Sequence, residues 1–295
     1  MKVLSFGEIL WDIIEGKHYL GGAPFNFAAH FSQCGADTYM ISRLGKDELG
    51  RAAFEEVEKL GVETDFIQWD ERQPTGTVDV FLKNGQPSYT IHTKVAYDYI
   101  DFDQLKASGL LNQQFDIFGF GSLAQRNETS KQTLRAILTK MSFSHIFYDV
   151  NLRKDCYSAA IIRDALSFST ILKLNDEEVA LISEFLYGET YENEEFCQKV
   201  SQDYQQEIII ITAGGDGCFV YHKGELHIVA GKKVKVADTV GAGDSFSAAF
   251  LATFFRLGDP LQAAVVANQV GAFVAASRGP IPLYSEEIKE LLGIS

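Results

Sequence analysis

Short apolar runs alternate with helix-period segments through most of this 295-residue chain, and this alternation is what most constrains its fold. Parallel strands that are buried on both faces are apolar throughout, and each needs a crossover connection, usually a helix, to reach its neighbour. The predicted buried strands are Val3–Phe6, Thr38–Ile41, Asp116–Phe120, His145–Val150, Ile171–Leu174 and Ile208–Thr212. The predicted helices between them are Pro24–Cys34, Glu48–Leu60, Glu128–Lys140, Ser158–Phe168 and Asp176–Phe185. The pattern predicts an α/β fold whose mostly parallel central sheet has helices on both faces.

The segment 66–97 breaks this rhythm, because its pattern is strand-like without an intervening helix. Thr77–Leu82 and Pro87–Thr93 flank Asn84-Gly85, a dipeptide typical of a two-residue hairpin turn. We expect a small antiparallel sheet here, either as decoration of an edge or as a lid over a substrate cleft. Three strands and three helices are predicted near the end of the chain, at Cys218–Tyr221, Glu225–Val229, Lys233–Val236, Ala242–Leu257, Pro260–Ser277 and Ser285–Leu292.

Composition limits the classes of partner. The 40 acidic and 26 basic residues give a formal net charge of −14, which disfavours binding to nucleic acid or to an anionic membrane. Cys34, Cys156, Cys197 and Cys218 form no CxxC pair and are predicted to be buried thiols in a reducing compartment. An early acidic residue argues against a signal peptide, and no apolar run approaches the roughly 18 residues of a membrane span. We therefore expect a cytoplasmic protein.

A run of small residues, Asp238-Thr239-Val240-Gly241-Ala242-Gly243-Asp244, leads directly into a predicted helix. Backbone N–H donors at a helix start lack intrahelical partners, and together with the helix dipole they favour a bound anion. A carboxylate at this position suits a base that takes the proton of a hydroxyl attacking a phosphate. The alternative is that Asp244 caps the helix and the glycines only turn the chain.

Two better-known phosphate-binding loops are excluded by the sequence. Phe246 occupies the position where the dinucleotide fingerprint needs its third glycine. No Gly-Lys pair is followed by Ser or Thr, so the chain has no Walker A loop. An NAD-linked oxidoreductase therefore lacks support.

Two motifs carry a resemblance to a known family. The run 238–244, D-T-V-G-A-G-D, resembles the C-terminal motif of the ribokinase-like, or PfkB, carbohydrate kinases. The run 21–28, G-G-A-P-F-N-F-A, with Gly35 and Gly45 downstream, is similar to the family's N-terminal motif in its fructokinase-like form. The resemblance covers essentially the whole chain. It implies one kinase domain over 1–295, a ribokinase-like three-layer α/β sandwich with a β-lid inserted at about 66–97.

The resemblance also implies a reaction, in which the γ-phosphoryl group of ATP moves to a primary hydroxyl of a small sugar. Gly241, Ala242 and Gly243 would form the anion hole, and Asp244 would be the catalytic base. D-fructose is the first choice of substrate, because Ala23-Pro24 is typical of the fructokinase subgroup. Another sugar or sugar acid, such as ribose or 2-keto-3-deoxygluconate, is the alternative within the family. A non-catalytic sugar- or nucleotide-binding relative is the alternative of a different class.

On the sugar side, the resemblance assigns substrate contacts to Asp12, Gly22 and Asn26. Asp12 is placed at the end of the first strand segment, where its carboxylate would accept hydrogen bonds from two sugar hydroxyls. Arg153 ends a D-x-N-x-R stretch, 149–153, that is similar to fructokinase-like members. It would contact a phosphate or a substrate oxygen, with a local ion pair as the alternative.

On the nucleotide side, Asn175 and Glu178 resemble the family's N-x-x-E element, in which Glu178 would hold the water shell of Mg²⁺. Without the family, the same residues are an ordinary helix N-terminus. Thr212, Gly214 and Gly217 resemble a Thr-x-Gly-x-x-Gly turn that lines ATP.

Three further expectations follow from the resemblance. Asn268 and Gly271 would wall the adenine pocket. Asp238 would be one ligand of a monovalent cation such as K⁺. The exposed face of the lid would support a homodimer.

Overall fold

The computed structural model describes residues 1–83 and 86–294, so the hairpin turn predicted at Asn84-Gly85 lies outside the described residues. The strands are β1 Lys2–Phe6, β2 Leu10–Ile14, β3 Lys17–Gly21, β4 Asp37–Gly45, β5 Val62–Glu63, β6 Ile67–Asp70, β7 Gly76–Lys83, β8 Gln86–Ile91, β9 Ile117–Gly121, β10 His145–Asp149, β11 Ile171–Asn175, β12 Ile208–Thr212, β13 Gly217–His222 and β14 Glu225–Ala230. The helices are α1 Ala23–Gln33, α2 Glu48–Lys59, α3 Phe102–Ala107, α4 Glu128–Lys140, α5 Ala159–Phe168, α6 Asp176–Tyr187, α7 Asn193–Tyr204, α8 Ala242–Leu257, α9 Pro260–Ala275 and α10 Glu286–Leu292.

The main sheet has ten strands in the order β14-β13-β12-β11-β10-β9-β1-β4-β5, with β6 also paired to β4. All pairs from β12 to β5 are parallel, and so is the β4–β6 pair, whereas β13 and β14 run antiparallel to their neighbours. The central strands are apolar because helices cover both of their faces. The prediction of a mostly parallel α/β sheet is therefore confirmed.

Helices α3 to α7 pack on one face of this sheet, and α1, α8, α9 and α10 pack on the other. On the second face the ring of Phe27, from α1, stacks on Phe147 of β10 with 5.4 Å between ring centroids. Burying a side chain of this size contributes about 1.5–3 kcal/mol, so this packing fixes α1 against the sheet. Helix α1 also packs against α8, which brings the two predicted motifs to the same layer.

A separate small sheet has the strand order β3-β2-β7-β8. Its central pair, β2 and β7, is parallel, and the two outer pairs are antiparallel. The predicted antiparallel insertion over 66–97 therefore identified only β7 and β8, since β6 in that segment joins the main sheet. The β2–β3 hairpin, which was missed at the sequence level, turns at Glu15 and Gly16; both have positive φ (50° and 76°), as in a tight two-residue turn.

The predicted strand Lys233–Val236 is wrong. Residues 231–241 have no regular structure between β14 and α8. The amides of Ala237 and Asp238 donate to the carbonyl of Ala275 in α9, so the chain leaves the sheet edge and crosses to the helical layer.

The four cysteines are buried, as predicted. Within residues 1–83 and 86–294, none of the helices combines the length and apolarity needed to cross a membrane.

Candidate active site

The carboxyl ends of the parallel strands gather polar residues at one edge of the main sheet. Asp149 at the end of β10 is the register partner of Lys173 on β11, and Asn175 at the end of β11 is the partner of Thr212 on β12. Ligands of open α/β sheets bind at this edge, so the candidate site lies here.

Asp244 lies in the first turn of α8 and is held from the other end of the chain. The side-chain amide of Asn26, on α1, donates to Asp244 Oδ2 at 2.8 Å. Asn26 Oδ1 is buried and finds no hydrogen-bond partner among the described residues. The structure therefore joins the two predicted motifs, 218 positions apart, at a single carboxylate.

Gly241 precedes α8 in a left-handed conformation, with φ of 80°. A Cβ at this position would overlap the carbonyl of Pro280, so the loop needs glycine here. His30, also on α1, fixes that carbonyl, since its Nε2 lies 2.9 Å from Pro280 O while its Nδ1 lies 2.8 Å from the Tyr284 hydroxyl. Of the predicted anion-hole residues, Ala242 already donates its amide to Thr239 O at 3.3 Å, a turn bond that a ligand must share.

Burial, with charged neighbours as the second cause, sets the ionisation of Asp244. Burial raises its pKa to about 6, and the negative charge of Asp149 acts in the same direction. The hydrogen bond from Asn26 and the charges of Lys173 and Arg153 oppose this rise. A carboxyl group with a pKa near neutrality is suited to accept a proton at working pH.

Lys173 was missed at the sequence level. Its Nζ lies 2.7 Å from Asp149 Oδ2, and the two side chains are 9% and 14% exposed. Burial alone would lower the pKa of Lys173, but the adjacent Asp149 carboxylate raises it above its usual value. A lone lysine in the apolar run of β11 was the available signal.

Glu8, in the loop after β1, was also missed. It is 4% exposed, and burial raises its pKa to about 7. Its Oε2 has no hydrogen-bond partner among the described residues. Glu8 and Asp149 both line a cavity of about 20 Å³, which has room for a water-sized group.

The prediction that Asp12 ends the first strand segment is wrong. Asp12 lies in the middle of β2, in the small sheet. A Cβ on Gly21 would be 3.0 Å from Asp12 Oδ2, which places the carboxylate beside the start of α1. Burial raises the pKa of Asp12 to about 6, against the opposing charge of Arg153. Gly22 is the N-cap of α1, next to Glu8, whose carbonyl a Cβ on Gly22 would overlap.

Arg153 is exposed near three carboxyl groups without pairing with one. Its Nη1 lies 3.4 Å from the carbonyl of Leu152, and within the described part of the chain no carboxylate is within 4.0 Å of its guanidinium. Its positive charge nevertheless opposes the rise that burial causes in the pKa of Glu8, Asp12 and Asp244. The alternative of a local ion pair is therefore not observed.

Asn175 and Glu178 form a reciprocal cap at the start of α6. Asn175 Oδ1 accepts from the Glu178 amide at 2.8 Å, and Glu178 Oε2 accepts from the Asn175 amide at 2.9 Å. Glu178 Oε1 also accepts from the Leu152 amide at 2.6 Å, which ties the D-x-N-x-R stretch to α6. Burial raises the pKa of Glu178. The structural role of this pair is thus evident, and its role toward a metal stays a prediction.

The remaining nucleotide-side residues lie at the end of β12, in the turn before β13 and on α9. Thr212 Oγ1 lies 3.4 Å from Leu174 O, Gly214 is exposed, and Gly217 opens β13. Asn268 donates its side-chain amide to the carbonyls of Val229 and Ala230 at 3.3 and 3.2 Å.

Two predicted residues have packing or turn contacts close to the glycine loop. A Cβ on Gly271 would be 3.3 Å from Ala242 O, so α9 approaches α8 closely at this point. Asp238 Oδ1 accepts from the Val240 amide at 3.0 Å, which closes the turn before the loop.

Comparison with known proteins finds similarity along nearly the whole chain. Residues 3–287 match the model of the family described as pfkB family carbohydrate kinase. A Pyrococcus horikoshii protein described as an uncharacterized sugar kinase, PH1459, is 30% identical over 297 residues, covering 94% of this chain and 91% of that protein. A fructokinase of Escherichia coli is 28% identical over 264 residues, covering 85% and 83%. The crystal structure of the P. horikoshii kinase in complex with ATP matches with a TM-score of 0.83 at 28% identity, over 98% of this chain and 99% of that one. The chain therefore belongs to the pfkB family of carbohydrate kinases, phosphotransferases that use an alcohol group as acceptor.

Proposed function

We propose that this chain transfers the γ-phosphoryl group of ATP to a primary hydroxyl of a small sugar, with D-fructose as the first candidate. The observation that carries the proposal is the bond from Asn26 to Asp244, which joins the predicted sugar-binding helix to the glycine loop. The fructokinases among the relatives support the choice of sugar.

The proposed step begins when the sugar hydroxyl approaches Asp244. The carboxylate takes the hydroxyl proton while the sugar oxygen forms a bond to the γ-phosphorus and the bond to the ADP oxygen breaks. Backbone amides at the start of α8 face the charge that develops on the phosphoryl oxygens. General-base assistance contributes about 10²–10⁴ in rate, or roughly 3–5 kcal/mol of the barrier.

Sugar recognition is assigned to two layers of the protein. Asn26 lies on α1 and Gly22 is the N-cap of that helix, whereas Asp12 belongs to the small sheet, which we propose acts as the lid of a single kinase domain. An approach of this sheet to the main body would expel water from the site, which suits phosphoryl transfer.

A sugar acid, such as 2-keto-3-deoxygluconate, is the second candidate substrate. The observation that favours it is Arg153, an exposed guanidinium whose charge influences three site carboxyls without pairing with one. A guanidinium binds a carboxylate through two parallel hydrogen bonds. Ribose is kept as a neutral alternative.

For the nucleotide, we propose that Asn175, Thr212, Gly214 and Gly217 line the phosphates and ribose. Asn268 and Gly271 would border the adenine. Asn175 and Thr212 end β11 and β12, Gly214 and Gly217 lie in the turn that leads into β13, and the last two residues lie on α9.

The site suits a magnesium ion held mainly by phosphates and water. Among the described residues no group of three or more His, Cys, Asp or Glu side chains is placed to hold a metal. Mg²⁺ keeps several waters and needs few protein carboxylates, so Glu178 is proposed to bind its water shell. When bound, Mg²⁺ neutralises phosphate charge. Asp238 is proposed to bind a monovalent cation such as K⁺, which a comparison of rates in KCl and choline chloride would test.

We also propose a homodimer through the small sheet, in a cytoplasmic enzyme. Asp12 and Ile14 are two positions apart on β2, so their side chains lie on the same face of the small sheet. Tyr19 is opposite Asp12 and Val80 is opposite Ile14, so they share that face. Ile14, Tyr19 and Tyr89 are 40%, 44% and 62% exposed on that face. Exposed apolar patches mark association sites. Tyr89→Glu should lower the mass found by analytical ultracentrifugation to that of a monomer.

The decisive experiment is a substrate panel with purified protein, ATP and Mg²⁺. We expect the highest kcat/KM for D-fructose among fructose, ribose, glucose and 2-keto-3-deoxygluconate. Asp244→Asn should lower kcat by about 10²–10⁴. A preference for the sugar acid would select the second candidate, and equal turnover by both proteins would contradict the base assignment.

A further inference from the structure

Lys173 is a buried ammonium beside the glycine loop, and the function proposed above does not use it. It is the register partner of Asp149 in neighbouring parallel strands, so both side chains leave the same face of the sheet. Their charged atoms are 2.7 Å apart. The pair is therefore built into the sheet and faces the start of α8.

The donors of Lys173 are incompletely used. An ammonium group has three N–H donors, and within the described part of the chain its one acceptor is Asp149 Oδ2. A Cβ placed on Gly243 would lie 3.4 Å from Nζ, so the nitrogen borders the proposed anion hole. Buried donors without acceptors are unfavourable, and the oxygens of a phosphoryl group held by the loop would satisfy them.

We propose that Lys173 is a further catalytic residue, which Asp149 positions to donate hydrogen bonds to the phosphoryl group as it passes the glycine loop. This inference rests on the proposed phosphoryl transfer. In that step the phosphorus–oxygen bond to ADP breaks, the bond to the sugar oxygen forms, and the hydroxyl proton goes to Asp244. Lys173 keeps its three protons and supplies charge and donors.

The pH profile tests whether the charges of this pair act on Asp244. The polar and charged groups that face Asp244 are Asn26 from α1, Lys173 from β11, Asp149 and Arg153 from β10 and the loop after it, and Glu8 from the loop after β1. Lys173 lowers the pKa of Asp244, and Asp149 raises it. Lys173→Met should therefore shift the acid limb of kcat/KM to higher pH, and Asp149→Asn should shift it to lower pH. Loss of structure alone would not move the limb in opposite directions.

The test compares wild type, Lys173→Met, Asp149→Asn and the double variant, with Lys140→Met as a control at an exposed helical position. Rates are measured with ATP and the best sugar of the panel, and melting temperatures confirm folding. For Lys173→Met we expect kcat to fall by about 10²–10³ with KM values within about threefold. Affinity for ADP with aluminium fluoride, a mimic of the transferring group, should fall similarly, while affinity for ADP alone should not change.

The double variant leaves neither charge unpaired in the interior, so it keeps the test decisive if a single variant misfolds. We expect it to stay about 10²-fold or more below wild type in kcat. If folded Lys173→Met, or the folded double variant in its place, keeps kcat within about tenfold and binds ADP with aluminium fluoride as wild type does, the inference is overturned while the proposed function stands. If wild type phosphorylates none of the sugars, the proposed function fails and this inference fails with it.

Discussion

Replacing Asp244 by Asn should inactivate the enzyme and stabilise its fold at neutral pH. Burial raises the pKa of Asp244 from its ordinary value of 3.8 to about 6. An acid with a higher pKa in the folded state binds more protons folded than unfolded, so rising pH destabilises the fold between the two values. The variant has no such proton to lose, and its amide oxygen still accepts from Asn26.

The size of the effect follows from the two pKa values. Ionisation of Asp244 costs about 1.6 kcal/mol of folding free energy at pH 5 and about 3 kcal/mol at pH 8. These are upper values, because the side chain keeps partial contact with solvent, which screens the charge. We therefore expect Asp244→Asn to be more stable than wild type, by an amount that grows by up to about 1.4 kcal/mol between pH 5 and pH 8.

Urea unfolding of both proteins at pH 5 and pH 8, without ligands, measures this difference. Asp103→Asn, which removes one exposed negative charge from α3, is the matched control. The same stability difference at both pH values, or a variant that is less stable than wild type at pH 8, would refute the reasoning that burial sets the charge of Asp244.

Three other substitutions test separate parts of the structure. Asp12→Asn should raise KM for the sugar by about 10–100-fold in steady-state kinetics, because a hydrogen bond to a charged group is lost. Sugar affinity of the wild type should decline below pH 6, and the variant should not show this decline. Gly241→Ala should lower kcat by about 10²-fold, because φ is 80° and the added Cβ overlaps a backbone carbonyl. The control Gly188→Ala has a similar φ of 78° but open space for the Cβ, so it should keep full activity in the same assay. Arg126→Met should lower the free energy of unfolding by about 3–5 kcal/mol in urea, because its buried partner Asp98 loses its ion pair; a loss below about 1 kcal/mol would contradict this.

Local pattern predicted the main sheet because its strands are short apolar runs with helices between them. It failed where structure depends on distant pairing. The small sheet exists because β2 and β7 pair in parallel across about 60 intervening residues, and nothing in either segment specifies that partner. Helix α7 was missed because its inward residues, Phe196, Cys197 and Val200, form a narrow stripe in a polar segment.

In the candidate site, too, continuous motifs were predicted from the sequence and isolated residues were not. The glycine loop with Asp244, and the segment with Asn26, were predicted as continuous motifs, and the structure brings them into contact. Lys173 and Glu8 are single charged residues in apolar surroundings, so their importance depends on which neighbours the fold supplies. The contact of Lys173 with Asp149 is set by the strand register, which the sequence pattern did not specify.

The two-part origin of the small sheet has a consequence for engineering. Residues 10–21 and 76–91 supply its strands, and Asp12 is on the first part. A chimera that exchanges only 76–91 with a relative would combine foreign strands with the native hairpin that carries Asp12. The native β2 would then have to pair in parallel with a β7 of different sequence. Transplanting sugar preference therefore requires both pieces to be exchanged together.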